Sequence, residues 1–140
     1  MSATIDQIEA ALLAPFLLTS DGGTEEWTGT GYDAIAYDNA GFTPTGAPWI
    51  EVVTSAGRQS RLGVGPTYGG HPTLTVYAHT AIGTGKAAAR ALIDEAVSLY
   101  KGRVISAGTS SMQLYSHSPP VEMPKDGYYK LGCMMSFRLF

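Results

Sequence analysis

Gly83-Thr-Gly85-Lys-Ala-Ala88 is the stretch whose residue types come nearest to cofactor chemistry. A glycine turn between a strand and a helix offers backbone amides to a phosphate, and G-x-G-x-x-A is one form of the dinucleotide fingerprint. No acidic residue lies about 20 positions on to hold a ribose. As a P-loop it fails twice: Ala87 follows Lys86 where Ser or Thr is required, and Thr80 stands where the first glycine belongs. The stretch reads as a glycine turn into a helix, and no cofactor is expected. His71, His79 and His117 show no metal-ligand spacing, and Cys133 is the single cysteine, so no metal is expected either. Exposed or interface positions suit the histidines best. Cys133 falls on an apolar strand face as a small buried hydrophobe. No G-x-S-x-G elbow anchors a hydrolase triad. The acidic pairs Glu25-Glu26 and Asp94-Glu95 are adjacent in sequence, so each pair diverges instead of converging on a bond. No catalytic constellation emerges, and the chain is expected not to be an enzyme.

Two other features point outward. Trp27 sits in the Gly/Thr-rich segment Thr19–Gly31, which has no period and reads as an exposed loop over about 19–32. Arg58 and Arg61 sit in the Gly-rich segment Ser55–Pro72, long enough to be a functional loop. Trp and Arg are enriched at interface anchors. Arg58, Arg61 and Trp27 are therefore the candidate contacts to a neighbouring subunit or partner. Trp27 has a second reading, folded back on the core.

The elements that must position these residues follow from periodicity. Thr4-Ile-Asp-Gln7 is a capping box, and Ile5, Ile8, Leu12 and Phe16 recur at helical spacing. A helix over about 5–14 follows, ended or kinked by Pro15. Ala34–Asp38 and Pro48–Thr54 are strand candidates, with a turn region at Asn39–Gly46. Thr73–His79 alternates, with Leu74, Val76 and Ala78 on one face. Ala88, Ala89, Leu92, Ile93, Ala96, Leu99 and Tyr100 form the apolar stripe of a second helix. Thr84 suits its N-cap and Gly102 its C′ position. Val104–Ser106 and Ser111–Ser116 are further strands before the Ser118-Pro-Pro120 turn. Tyr129, Leu131, Cys133, Met135, Phe137 and Leu139 share one face of a closing strand, with Lys130, Ser136 and Arg138 on the other. This order predicts one α+β domain over 1–140: a mixed or antiparallel sheet with both helices packed on one face.

The chain has 140 residues, 44% of them hydrophobic and 15% charged, against about 25% charged in typical soluble domains. That balance excludes a disordered tail. Nine basic and twelve acidic residues give a net charge of −3, against a dedicated nucleic-acid binder. Low charge with many neutral polar residues fits a surface covered by other subunits. The apolar run Ala10–Leu18 is too short to cross a membrane and contains Pro15. With Asp6 and Glu9 before it, a signal peptide is not expected. A soluble, intracellular chain with no membrane partner is expected.

From Ala34 onward the order of features resembles the tail terminator family of long-tailed bacteriophages. The carrying residues are Ala36-Tyr-Asp-Asn39 with Phe42 and Pro44, then Trp49-Ile-Glu-Val52. Leu74-Thr-Val-Tyr77, Gly83-Thr-Gly85 and the Ala-rich helix to Tyr100-Lys-Gly-Arg103 come next, and Gly127-Tyr-Tyr129 leads into Ser136-Phe-Arg138. The resemblance departs at Gly70-His-Pro72, where the family pattern has an Arg/Gly pair, and in a longer Thr19–Tyr32. It implies a structural virion protein at the tail–neck region, assembled in the host cytoplasm. Its subunits form a ring, a homohexamer, that caps the head-proximal end of the tail tube and stops polymerisation. The implied partners are further copies of the chain, the tail tube protein and the head-completion or neck protein, while genomic DNA passes the lumen without specific binding. A head-completion or connector subunit is the alternative within the same biology. A small-molecule or sugar-binding domain using Trp27 and Tyr77 is the alternative outside it.

Overall fold

The computed structural model describes residues 5–16, 26–27, 34–37, 48–55, 59–61, 68–70, 72–81, 86–108, 110–122 and 129–139. Thr4 of the capping box, the Gly83–Gly85 turn, Phe42, Pro44, His71, Gly127 and Arg58 lie outside the described residues. So does most of the expected 19–32 loop.

Helix α1 spans Ile5–Leu13 and buries Ile8 and Leu12. Pro15 cannot donate to the α-helical ladder, so the chain tightens into a 3₁₀ turn over Ala14–Phe16. The carbonyls left over at this helix end find distant donors. Tyr100 donates its hydroxyl to the Leu12 carbonyl and Tyr37 donates to that of Phe16. The Pro15 carbonyl accepts from the backbone amides of Glu26 and Trp27, at 2.9 and 3.0 Å. Helix ends need such partners once water is excluded.

Ten further elements follow among the described residues: β1 Ile35–Tyr37, β2 Trp49–Ser55, β3 Gln59–Arg61, β4 Tyr68–Gly70, β5 Thr73–Thr80, α2 Lys86–Ser98, β6 Val104–Ala107, β7 Ser110–His117, β8 Val121–Glu122 and β9 Tyr129–Leu139. The main sheet runs β1-β2-β5-β9-β7-β6, with β8 paired to β9 beyond the end of β7. Among the described strands only the β1–β2 pairing is parallel. Helix α2 buries Ala89, Leu92, Ile93, Ala96 and Val97 and ends through Gly102, whose φ of 73° is the left-handed conformation glycine adopts without cost.

Ile50 and Val52, Leu74, Val76 and Ala78, and Leu131, Cys133, Met135 and Phe137 turn to one face of the sheet. There they form a single core with the buried sides of α1 and α2. The expected α+β architecture, with both helices on one face, is what the chain builds.

Two local expectations need correction. Ser55–Pro72 is not loop throughout, because it contains β3 and β4, paired antiparallel. Ser55 pairs with Thr73, and Gln59 with Gly70. The two short strands form a separate two-stranded arm, between β2 and β5 in the chain. The second correction is Trp27. Expected in an exposed loop, it is 1% exposed and lies in the core, its ring 5.4 Å from that of Phe16.

Candidate interaction surface

The face of the sheet opposite the helices is composed in rows by strand register. Trp49, His79 and Lys130 form the first row, followed by Glu51, Tyr77, Gly132 and Val121. Val53, Thr75 and Met134 make the third. Ser55, Thr73, Ser136 and Ser116 follow, with Arg138 and Gln113 beyond. Tyr115 sits where the β7–β9 register shifts, between Leu114 and Ser116. Met134, Tyr115 and Val121 are about half exposed, at 47%, 51% and 53%, and Trp49, Val53 and Tyr77 are half-buried.

Cations lie over two of the rings: the Lys130 ammonium is 4.5 Å from the Tyr77 centroid, and the Arg138 guanidinium 5.5 Å from that of Tyr115. Each such contact is worth roughly 0.5–1 kcal/mol at an exposed site. Aromatic residues, Met and Arg are the types enriched at protein interfaces. Stacking and docking are what this face can do.

His79 is buried on this face, 7% exposed, although an exposed or interface position was expected. Its ring stacks on Trp49, with centroids 3.7 Å apart and planes 6° from parallel. Burial under Trp49, with the Lys130 charge adding to it, lowers its pKa to about 4. Glu51 approaches to 3.6 Å and attracts the proton, but burial prevails. At neutral pH the ring is uncharged, so this approach is a polar contact and not an ion pair.

The sign of the pH effect follows. The unfolded chain takes up a proton near pH 6.5, whereas the folded chain does so only near 4. The unfolded state therefore holds more protons between these values, and stability falls as pH drops through them. A shift of this size corresponds to on the order of 3 kcal/mol when complete. Thermal melts from pH 7 to pH 4 should show this loss, and His79→Gln should flatten it. A variant profile parallel to that of the wild type would reject the assignment.

Two cavities lie on the helical side. One, of about 240 Å³, is lined by Ile93, Val97, His117, Pro120 and Cys133, with Asp94 and Lys101 also contributing. The Cys133 thiol donates to the Ser118 carbonyl at 3.2 Å, and burial pushes its pKa up. A thiol held protonated is a poor nucleophile. Cys133 is the buried small hydrophobe that the sequence pattern implies.

The other cavity, of about 230 Å³, lies between the end of α1, the end of α2 and β6. Arg103 and Glu26 meet beside it at 2.7 Å. Arg103 also donates to the Leu99 carbonyl at 2.8 Å, so one side chain caps α2 and tethers the Glu26-Trp27 segment. Tyr100 lies beneath, its hydroxyl pKa raised by burial first and by Glu26 second. Among the described residues no group of three or more His, Cys, Asp or Glu is placed to hold a metal ion. No helix of the described residues is long and apolar enough to cross a membrane.

Of the three candidate contact residues, Arg61 ends β3 opposite Tyr68, Arg58 lies outside the described residues, and Trp27 is core. Trp27 and Tyr77 do not share a pocket, because Tyr77 belongs to the open face and Trp27 to the core under the helices.

No family model matches the chain, and no curated protein matches it. Among solved structures, one aligns over 96% of this chain and 94% of its own with a TM-score of 0.64 and 20% identity, and its name states no activity. At that identity the likeness shows the fold alone. The fold and its surface define an α+β domain with helices on one face of the sheet and no described element on the other.

Proposed function

We propose that the chain is a structural subunit of the tail-terminator type, which assembles into a ring, caps the head-proximal end of a phage tail tube and joins it to the neck. The observation that carries this reading is the open sheet face, where Trp49, Tyr77, Tyr115 and Met134 lie with Lys130 and Arg138 and no described element covers them. The order of the resembling residues adds support. Ala36-Tyr37 falls in β1, Trp49–Val52 in β2, Leu74–Tyr77 in β5, the Ala-rich run in α2 and Ser136–Arg138 in β9. A ring built from one repeated contact has two unlike faces, which suits a part that meets a tube on one side and a neck on the other. Such a role requires no catalysis.

Electron microscopy of particles assembled without this protein tests the reading. DNA-filled heads lacking tails, beside tubes of excessive and uneven length, are expected. Tails of normal length, joined to heads, would reject it.

A further inference from the structure

The large apolar side chains exposed among the described residues are Val104, Tyr115, Val121 and Met134, and all of them belong to the open face of the sheet. Val104 joins it through the row Arg138, Gln113, Val104. Apolar side chains gathered on one face and rimmed by polar ones mark an interaction surface. Two cations stand among them, Lys130 and Arg138, each over an aromatic ring. Neither makes an ion pair with a described residue.

The complementary charge lies on the other side of the molecule. Helix α1 carries Asp6 and Glu9 and no Lys or Arg, and neither acid makes an ion pair with a described residue. Three positions apart, the two share one flank of the helix. Asp6 and Ala10 are exposed, and Glu9 and Leu13 are half-buried. The flank is therefore acidic, and at Ala10 it is low enough for another surface to approach closely.

The same polarity runs through the sequence. Residues 1–51 hold eight acidic side chains and no Lys or Arg, whereas residues 52–140 hold nine bases and four acids. Such asymmetry within one chain points to contacts between unlike surfaces. Arg103 and Glu26 make one such contact inside a single copy, at 2.7 Å. Asp6 and Glu9 cannot reach Lys130 or Arg138 in that way. Helix α1 packs on the core side of the sheet, and the two cations lie on the opposite face.

We infer that the acidic flank of α1 in one copy docks on the open face of a second copy, at the end where Arg138, Tyr115 and Val104 lie. Asp6 and Glu9 meet the Arg138 guanidinium, and Ala10 and Leu13 meet the apolar side chains around it. Unpaired charges of opposite sign are thereby matched, and exposed apolar area leaves water. The two surfaces are unlike and lie on opposite sides of the sheet, so the contact repeats head to tail, the arrangement from which rings are built. This contact rests on the ring reading and supplies its subunit interface.

Charge exchange in the full chain tests the contact. Self-association is measured by sedimentation velocity, and melting temperatures confirm that each variant is folded. Asp6→Lys with Glu9→Lys on one surface, and Arg138→Asp on the other, should each weaken association about tenfold or more. All three substitutions together should return it close to the wild-type level, since the reversed charges meet again. Ala10→Gln, which lengthens the flank without changing its charge, should weaken association at an unaltered melting temperature. Added salt should weaken the wild type as well. A triple variant no better than its weaker parent would overturn the contact, as would Arg138→Asp associating like the wild type. A wild type that stays monomeric at every concentration, or stops at a dimer, would overturn it too, leaving the capping role to stand on the tail-length phenotype. Restored association in the triple variant with normal tails in the deletion would keep the contact and remove the terminator.

Discussion

Met135→Asp should yield no soluble folded protein, while Arg138→Asp, three residues on, should be recovered at close to wild-type levels. Met135 is fully buried on the core side of β9, opposite Leu74 and beside Cys133 and Phe137. A carboxylate there has no Lys or Arg opposite it in the strand register, where Leu74 and His117 are its partners, and burying an unpaired charge costs several kcal/mol even after relaxation. The total stability of a domain is about 5–15 kcal/mol, and the lost methionine packing adds to the deficit. Arg138 lies on the open face, exposed, and its removal forfeits roughly 0.5–1 kcal/mol of contact with Tyr115. Met135→Leu, which nearly conserves volume, should restore solubility at a cost below about 1.5 kcal/mol. Soluble yields and melting temperatures decide the matter. Because a one-residue slip exchanges the two faces of a strand, equal yields from Met135→Asp and Arg138→Asp would mean that the β9 register is wrong.

That register was legible in the sequence because alternation is a local signal. Leu74, Val76 and Ala78, and Leu131, Cys133, Met135 and Phe137, state their faces without knowledge of their partners, and all are buried as the pattern requires. Helix α2 was equally plain, down to Gly102 after its last turn. What the sequence hid depends on distant contacts. The β3–β4 arm consists of three-residue strands rich in Gly and Ser, too short for any period to register. His79 alternates correctly onto the open face, yet its burial comes from Trp49 on a neighbouring strand, thirty positions earlier. Of the candidate contact residues, Arg61 falls on β3, whereas Trp27 falls in the core. The open face itself could be read only after the register was known, since Trp49, Tyr77, Met134 and Tyr115 are scattered over four segments.

The same distinction between surface and core separates the effects of substitutions. Residues that serve a neighbour should leave the isolated subunit's stability unchanged and alter association. Residues that serve the core should do the reverse. Val104 belongs to the first group by its exposure, and Trp27 to the second by its burial.

Trp27→Ala should therefore lower the melting temperature of the isolated subunit steeply. The indole is among the largest fully buried side chains, packed against Phe16 and held by the backbone bonds of Glu26 and Trp27 to the Pro15 carbonyl. Replacing a buried Trp by Ala typically costs about 3–5 kcal/mol, which for a chain of this length is roughly 10–20 °C in melting temperature. The loss should spread to the joint it clamps. Arg103 holds Glu26 from the end of α2, and Tyr100 holds the Leu12 carbonyl of α1, so both helices meet the Glu26-Trp27 segment at one place. Hydrogen exchange in Trp27→Ala should accelerate first at the C-terminal turns of α1 and α2 and leave the β5–β9 pairing slow. An unchanged melting temperature would reject the placement of Trp27 in the core.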